Sequence, residues 1–145
     1  MPTERPYSSK DKWVIAIVVG ILFIILASPY SFKLVSDVSG LNLSSGSGCP
    51  QVSGLIVNAA FFVVVLRLMM NSNSPSSSHS QDKWILALIG GLFFIILASP
   101  FTFGLENSLT SLVGISLVDS DGCPSTGGIV LNGVIFATIV RTLMK

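Results

Sequence analysis

Residues 11–29 read DKWVIAIVVGILFIILASP, and residues 82–100 read DKWILALIGGLFFIILASP. The second stretch repeats the first at an offset of 71, with 12 of 19 positions identical. Each is an apolar run with a charged, Trp-tipped start and a proline end. Indole rings favour the headgroup level and lysine snorkels to water, so Lys12–Trp13 and Lys83–Trp84 read as anchors at a membrane interface. Composition agrees: the 145-residue chain is 50% hydrophobic and 10% charged, with a mean hydropathy of +0.78. A soluble domain typically carries about 25% charged residues to cover its surface. An all-α integral membrane protein is the expected class.

From Trp13 to Ser28 the run is 16 residues, roughly 24 Å of helix. A hydrocarbon core is about 30 Å thick, so the run is short for a full crossing. Two readings stay open at Pro29: a kinked helix that continues to about residue 34, or a break followed by an interfacial segment. The first run is longer than the about 7–15-residue core of a signal peptide and recurs mid-chain, so it reads as retained. Asp11 stands where it could cap the helix.

A second apolar stretch, Gly54 to Met70, is rich in β-branched residues. In a bilayer an unpaired strand would leave its backbone polar groups in hydrocarbon, so a helix is expected. Gly54, Asn58, Phe62 and Arg67 recur 74 residues later as Gly128, Asn132, Phe136 and Arg141, and Cys49-Pro50 recurs as Cys123-Pro124. The expected organisation is two tandem helical hairpins, parallel repeats giving four transmembrane helices. A polar arm occupies 1–10 and the first repeat 11–70, with spans at about 13–34 and 54–70. A Ser-rich linker fills 71–81, and the second repeat is 82–145, with spans at about 84–103 and 127–144. The intervening loops are expected at Val35–Ser53 and about Gly104–Thr126.

Two spans per repeat place the arm, the linker and the carboxyl end on one face. That face holds seven Lys or Arg residues, and the opposite face holds Lys33 alone. The positive-inside rule then puts both termini on the cytoplasmic side.

Ala16, Gly20 and Ala27, with their copies Ala87, Gly91 and Ala98, share one helical face and would let backbones approach closely, within the chain or between chains. Asn58 and Asn132 are amides among apolar residues, expensive in hydrocarbon unless paired. They read as helix–helix glue, or alternatively as the lining of a polar path. Arg67 and Arg141 can snorkel near the ends of their spans. Cys49 and Cys123 fall on the non-cytoplasmic face, where an oxidising compartment would permit a disulfide. His79, the single histidine, lies in the linker and lacks the rigid scaffold a triad needs. Asn42-Leu43-Ser44 matches a glycosylation sequon. No catalytic, metal or cofactor-binding set is expected, and a net charge of +1 argues against a nucleic-acid partner.

The DKW…G…FIILASP pattern, the GCP triplet and a closing span ending in Arg-Leu-Met-Met or Arg-Thr-Leu-Met resemble small two-span membrane proteins of large nucleocytoplasmic DNA viruses, in doubled form. The resemblance implies a virion component, a minor capsid or inner-membrane protein beneath an icosahedral shell, with no catalytic residue. The expected function is therefore structural. Its partners would be membrane lipid and other membrane or capsid proteins met through the arm and linker, or a second copy of the chain. A small channel or transporter, and an accessory subunit of a larger membrane complex, are the alternatives.

Overall fold

The computed structural model describes residues 8–43, 49–73 and 80–144. Among them the fold is all-α: α1 Ser9–Ala27, α2 Pro29–Ser39, α3 Val52–Asn73, α4 Ser80–Ala98, α5 Pro100–Thr110 and α6 Thr126–Leu143. A short 3-10 turn, Ser111–Val113, follows α5. Two helices, α3 and α6, are by themselves long and apolar enough to cross a membrane, and up to four crossings result if α1 with α2 and α4 with α5 each count as one bent span.

Helix α1 starts earlier than the sequence suggested. Ser8 is the N-cap, and its backbone N–H donates to the Asp11 carboxylate at 3.1 Å. Asp11 thus serves from the third helical position, closing a capping box instead of acting as the cap itself. The Ser-rich linker is also shorter than expected, because α3 runs on to Asn73 and α4 begins at Ser80; residues 74–79, His79 included, lie outside the described residues. So does the arm before Ser8.

The proline question resolves as a break. Helix axes bend by 62° between α1 and α2 and by 53° between α4 and α5. Pro29 has no N–H to donate and forces Ser28 out of helical geometry, to φ −69° and ψ 146°. Pro29 then sits in the first turn of a new helix, where the missing N–H costs nothing. Ser28 serves both sides of the hinge: its hydroxyl donates to the Ile25 carbonyl at 2.7 Å and accepts from the Ser31 N–H at 3.4 Å. At the second break the Ser99 hydroxyl accepts from the Phe101 N–H at 3.3 Å. The expected loops shrink accordingly, since α2 extends to Ser39 and α5 to Thr110.

Helix pairing crosses the sequence repeat. Helix α1 packs chiefly along α6, and α3 along α4, whereas α1 touches α3 and α4 touches α6 less extensively. The close hairpin is therefore α3–α4, joined by the linker, and not the α1–α3 pair within one repeat. Facing outward are apolar side chains, among them Ile17, Ile21, Phe61, Val64, Leu88 and Leu92, each exposed. An exposed apolar surface of that extent suits lipid and not water.

Candidate functional site

One phenylalanine from each long helix meets at the centre of the bundle. Phe23, Phe62, Phe94 and Phe136 are all essentially buried. Phe23 stacks on Phe136 with centroids 5.2 Å apart, and Phe62 on Phe94 at 5.1 Å. Edge-to-face contacts of 5.2 and 5.6 Å, Phe23 to Phe94 and Phe62 to Phe136, close the ring. Such pairs contribute about 0.5–1.5 kcal/mol each beyond burial. The sequence reading did not single out Phe23 and Phe94. Identity between the copies does not set them apart, because Phe23 and Phe94 each open a FIILASP segment that is the same in both repeats.

Small residues set the helix spacing on either side of this ring. Ala16, Ala27, Ala87 and Ala98 are buried, as are Gly20 and Gly91. A Cβ on Gly20 would stand 2.9 Å from the Ala137 Cβ and 3.2 Å from the Gly133 carbonyl, both on α6. One on Gly91 would run into the Val63 side chain on α3. The close approach that the Ala/Gly pattern predicted is used within the chain, across the repeat.

Both asparagines are spent on the helix breaks. A helix end leaves backbone carbonyls without partners, and the hinge at Ser28 separates the Leu26 carbonyl from the turn that would have followed. The Asn58 amide nitrogen donates to that carbonyl at 3.1 Å, and the Asn132 amide nitrogen donates to the Leu97 carbonyl at 3.1 Å. Both side chains are almost wholly buried, and each amide oxygen lacks a hydrogen-bond partner among the described residues. The two sites differ in one neighbour. Glu106, on α5, lies beside Asn132, where the repeat offset of 71 gives Val35 in the first copy. The sequence alone places Glu106 in a loop; α5 runs to Thr110 and carries it to the buried amide.

At the opposite end the expected anchors pair with each other. The Arg141 guanidinium lies over the Trp13 ring at 5.4 Å, and that of Arg67 over Trp84 at 5.5 Å. Arg141 also donates to the Ser9 hydroxyl at 3.4 Å. These contacts join α1 to α6 and α3 to α4, the same pairs that the glycines bring together. Lys12 and Lys83 flank them, both half-buried.

The loops are clipped by a disulfide between Cys49 and Cys123, with Cα atoms 5.1 Å apart. Each loop also lays one carbonyl over the start of the next helix. The Leu43 carbonyl accepts from Gln51 N–H at 3.3 Å, and the Leu117 carbonyl from Ser125 N–H at 3.0 Å. A Cβ at Gly128 would come within 2.7 Å of the Leu117 carbonyl, so the backbone contact requires glycine there. Asn42 is exposed beside the buried Leu43, and Ser44 of the sequon lies outside the described residues.

Chemically, this arrangement binds helices to helices. Among the described residues no group of three or more His, Cys, Asp or Glu side chains could hold a metal ion. A shallow groove of about 270 Å³ between α3 and α4 is lined by apolar side chains such as Ile56, Ala60 and Leu92. Comparison with protein-family models, with curated proteins and with solved structures returned no match for this chain.

Proposed function

We propose that this chain is a structural protein of a membrane: four crossings formed by two tandem repeats, with both termini on the cytoplasmic side. The observation that carries this reading is the sealed centre. Four phenylalanine rings fill the bundle axis, and the two buried amides donate to backbone carbonyls. A channel would need polar groups along its axis to replace an ion's or a solute's hydration, and here phenylalanine fills the axis. The amide donors are committed to carbonyls, which leaves only their oxygens without a partner among the described residues. The paired Arg–Trp contacts and the disulfide hold the two ends of the same bundle.

The setting is drawn from the sequence resemblance alone: a bilayer beneath a viral capsid, with the arm and the linker as the segments that meet shell or neighbouring membrane proteins. In that setting the doubled hairpin supplies packing surface, not a chemical site.

Two experiments test the two halves of this reading. Purified protein in liposomes should pass ions and small solutes no faster than protein-free liposomes. Flux that disappears on Asn58→Leu with Asn132→Leu would instead make it a pore. For the setting, mass spectrometry of detergent-extracted virus particles should find the protein with the membrane fraction, cross-linked to shell proteins through Lys10 or Lys12. Its absence from particles removes the capsid role.

A further inference from the structure

Helices α2 and α5 carry an apolar stripe that the described residues leave largely exposed. On α2 and just beyond it, Tyr30, Leu34, Val38 and Leu41 are 56–83% exposed; the positions 71 residues later, Phe101, Leu105, Leu109 and Leu112, are 56–85% exposed. The spacing of four keeps Tyr30, Leu34 and Val38 on one face of α2, and Phe101, Leu105 and Leu109 on one face of α5; Leu41 follows the left-handed Gly40, and Leu112 lies in the 3-10 turn. The opposite faces are anchored inward by Phe32 and Phe103, both buried, with Phe103 against the first turn of α6. The same register, exposed in both copies, is the feature to be explained.

The bends decide what covers it. With α1 and α4 along the membrane normal, bends of 62° and 53° leave α2 and α5 inclined to the membrane plane by about 30° and 40°. Each has 11 residues, so it is about 16 Å long and climbs about 8–10 Å at those inclinations. The apolar run before the break reaches roughly 24 Å from Trp13, about 6 Å short of a hydrocarbon core of about 30 Å. The oblique climb more than covers the shortfall.

Resting on the membrane reading above, we propose that α2 and α5 form a matched pair of lipid-docked helices that complete the crossing. They lie obliquely in the acyl–headgroup boundary of the leaflet opposite the Arg–Trp anchors, apolar stripe toward the acyl chains. The occupant of the stripe is the bilayer itself, continuous with the lipid-facing surface of α1 and α4 that the chain leaves at Ser28 and Ser99. The docking is by apolar insertion. Helix α2 carries one lysine and one aspartate, and α5 a single glutamate, so there is no cationic face to require anionic lipid. The Cys49–Cys123 disulfide joins the segments that follow the two helices and makes the pair one unit.

Fluorescent labels on single introduced cysteines test this in the full chain, with the native disulfide left oxidised and unreactive. In phosphatidylcholine vesicles, labels at Val38→Cys and Leu109→Cys should be quenched best by lipids brominated near the carbonyl end of the chain. Their quenching by aqueous iodide should be several-fold weaker than at Lys33→Cys and Gly104→Cys. A label at Ile21→Cys, midway along α1, should respond to lipids brominated deep in the chain. Adding phosphatidylglycerol should change none of this. Iodide reaching Val38 and Leu109 as freely as Lys33, with Ile21 still quenched from the lipid, would overturn the docking alone. Shielding of both labels from lipid and iodide together would mean a protein partner, a second copy included, covers the stripe. A need for phosphatidylglycerol would overturn insertion without charge. Iodide quenching at Ile21 as well would remove the membrane reading beneath the proposal.

Discussion

The two halves of this chain agree closely at the bundle axis and part company near the proline breaks. At the axis, each half contributes two rings to the phenylalanine cluster, one glycine approach and one asparagine bond of 3.1 Å to a helix-end carbonyl. Near the breaks, the second half places Glu106 beside its asparagine where the first has Val35. Its loop is also three residues longer, as the change of repeat offset from 71 to 74 shows. The difference separates what the bundle requires from what it tolerates. Positions that fix helix spacing are held, as are the cysteines and the glycines beneath the Leu43 and Leu117 carbonyls, while the residue beside the buried amide and the loop length change.

That contrast can be broken most forcefully at the ring cluster. Phe23→Ala and Phe94→Ala should each cost about 3–5 kcal/mol of stability, as truncation of a buried aromatic does. Because the cluster is closed, the two costs should be nearly equal in detergent unfolding; a large inequality would mean that one half carries the packing. Removing the clip comes next. Cys49→Ser with Cys123→Ser should lower stability by about 2–4 kcal/mol, read as a drop in melting temperature that reducing agent reproduces in the unmodified chain.

The amides come third and sharpen the comparison. Asn58→Leu should cost about 1–2 kcal/mol, by leaving the Leu26 carbonyl unpaired. Asn132→Leu should cost more, because it also removes the neighbour of Glu106. In a Glu106→Val background the two costs should converge, and a double-mutant cycle measures that coupling directly. The smallest effect is expected at the anchors. Arg141→Gln should cost about 0.5–1 kcal/mol through its contact with Trp13, and the loss should shrink when Trp13→Leu is already present.

Much of the fold was legible because the chain is written twice. The repeat located the apolar helices and the cysteines, and it marked specific contacts where a kept residue has changed neighbours on both sides, as at Ala16, Gly20, Asn58 and Arg67. Partner choice was not legible. Trp13 and Arg141 were read separately as interface anchors, since nothing in a hydropathy pattern says which helix faces which, and the repeat itself suggested that α1 would lie on α3. The break at Ser28-Pro29 was only half legible. Proline guarantees a disturbance, but whether it kinks or ends the helix depends on partners far along the chain, here Asn58 accepting the task of pairing the Leu26 carbonyl. Glu106 was missed because the extent of α5 beyond Phe103 depends on local capping, not on apolar periodicity.

The pairing of α1 with α6, and of α3 with α4, is the central claim, and cross-linking tests it most directly. In a chain lacking the native cysteines, Gly20→Cys with Ala137→Cys places two sulfur-bearing carbons at positions now in close contact. Mild oxidation in the membrane should link them within one chain, leaving monomer mass and altered gel mobility; Gly91→Cys with Val63→Cys should do the same. Dimers formed through residue 20, or efficient linking of Gly20→Cys to Val63→Cys in place of Ala137→Cys, would contradict the cross-paired bundle.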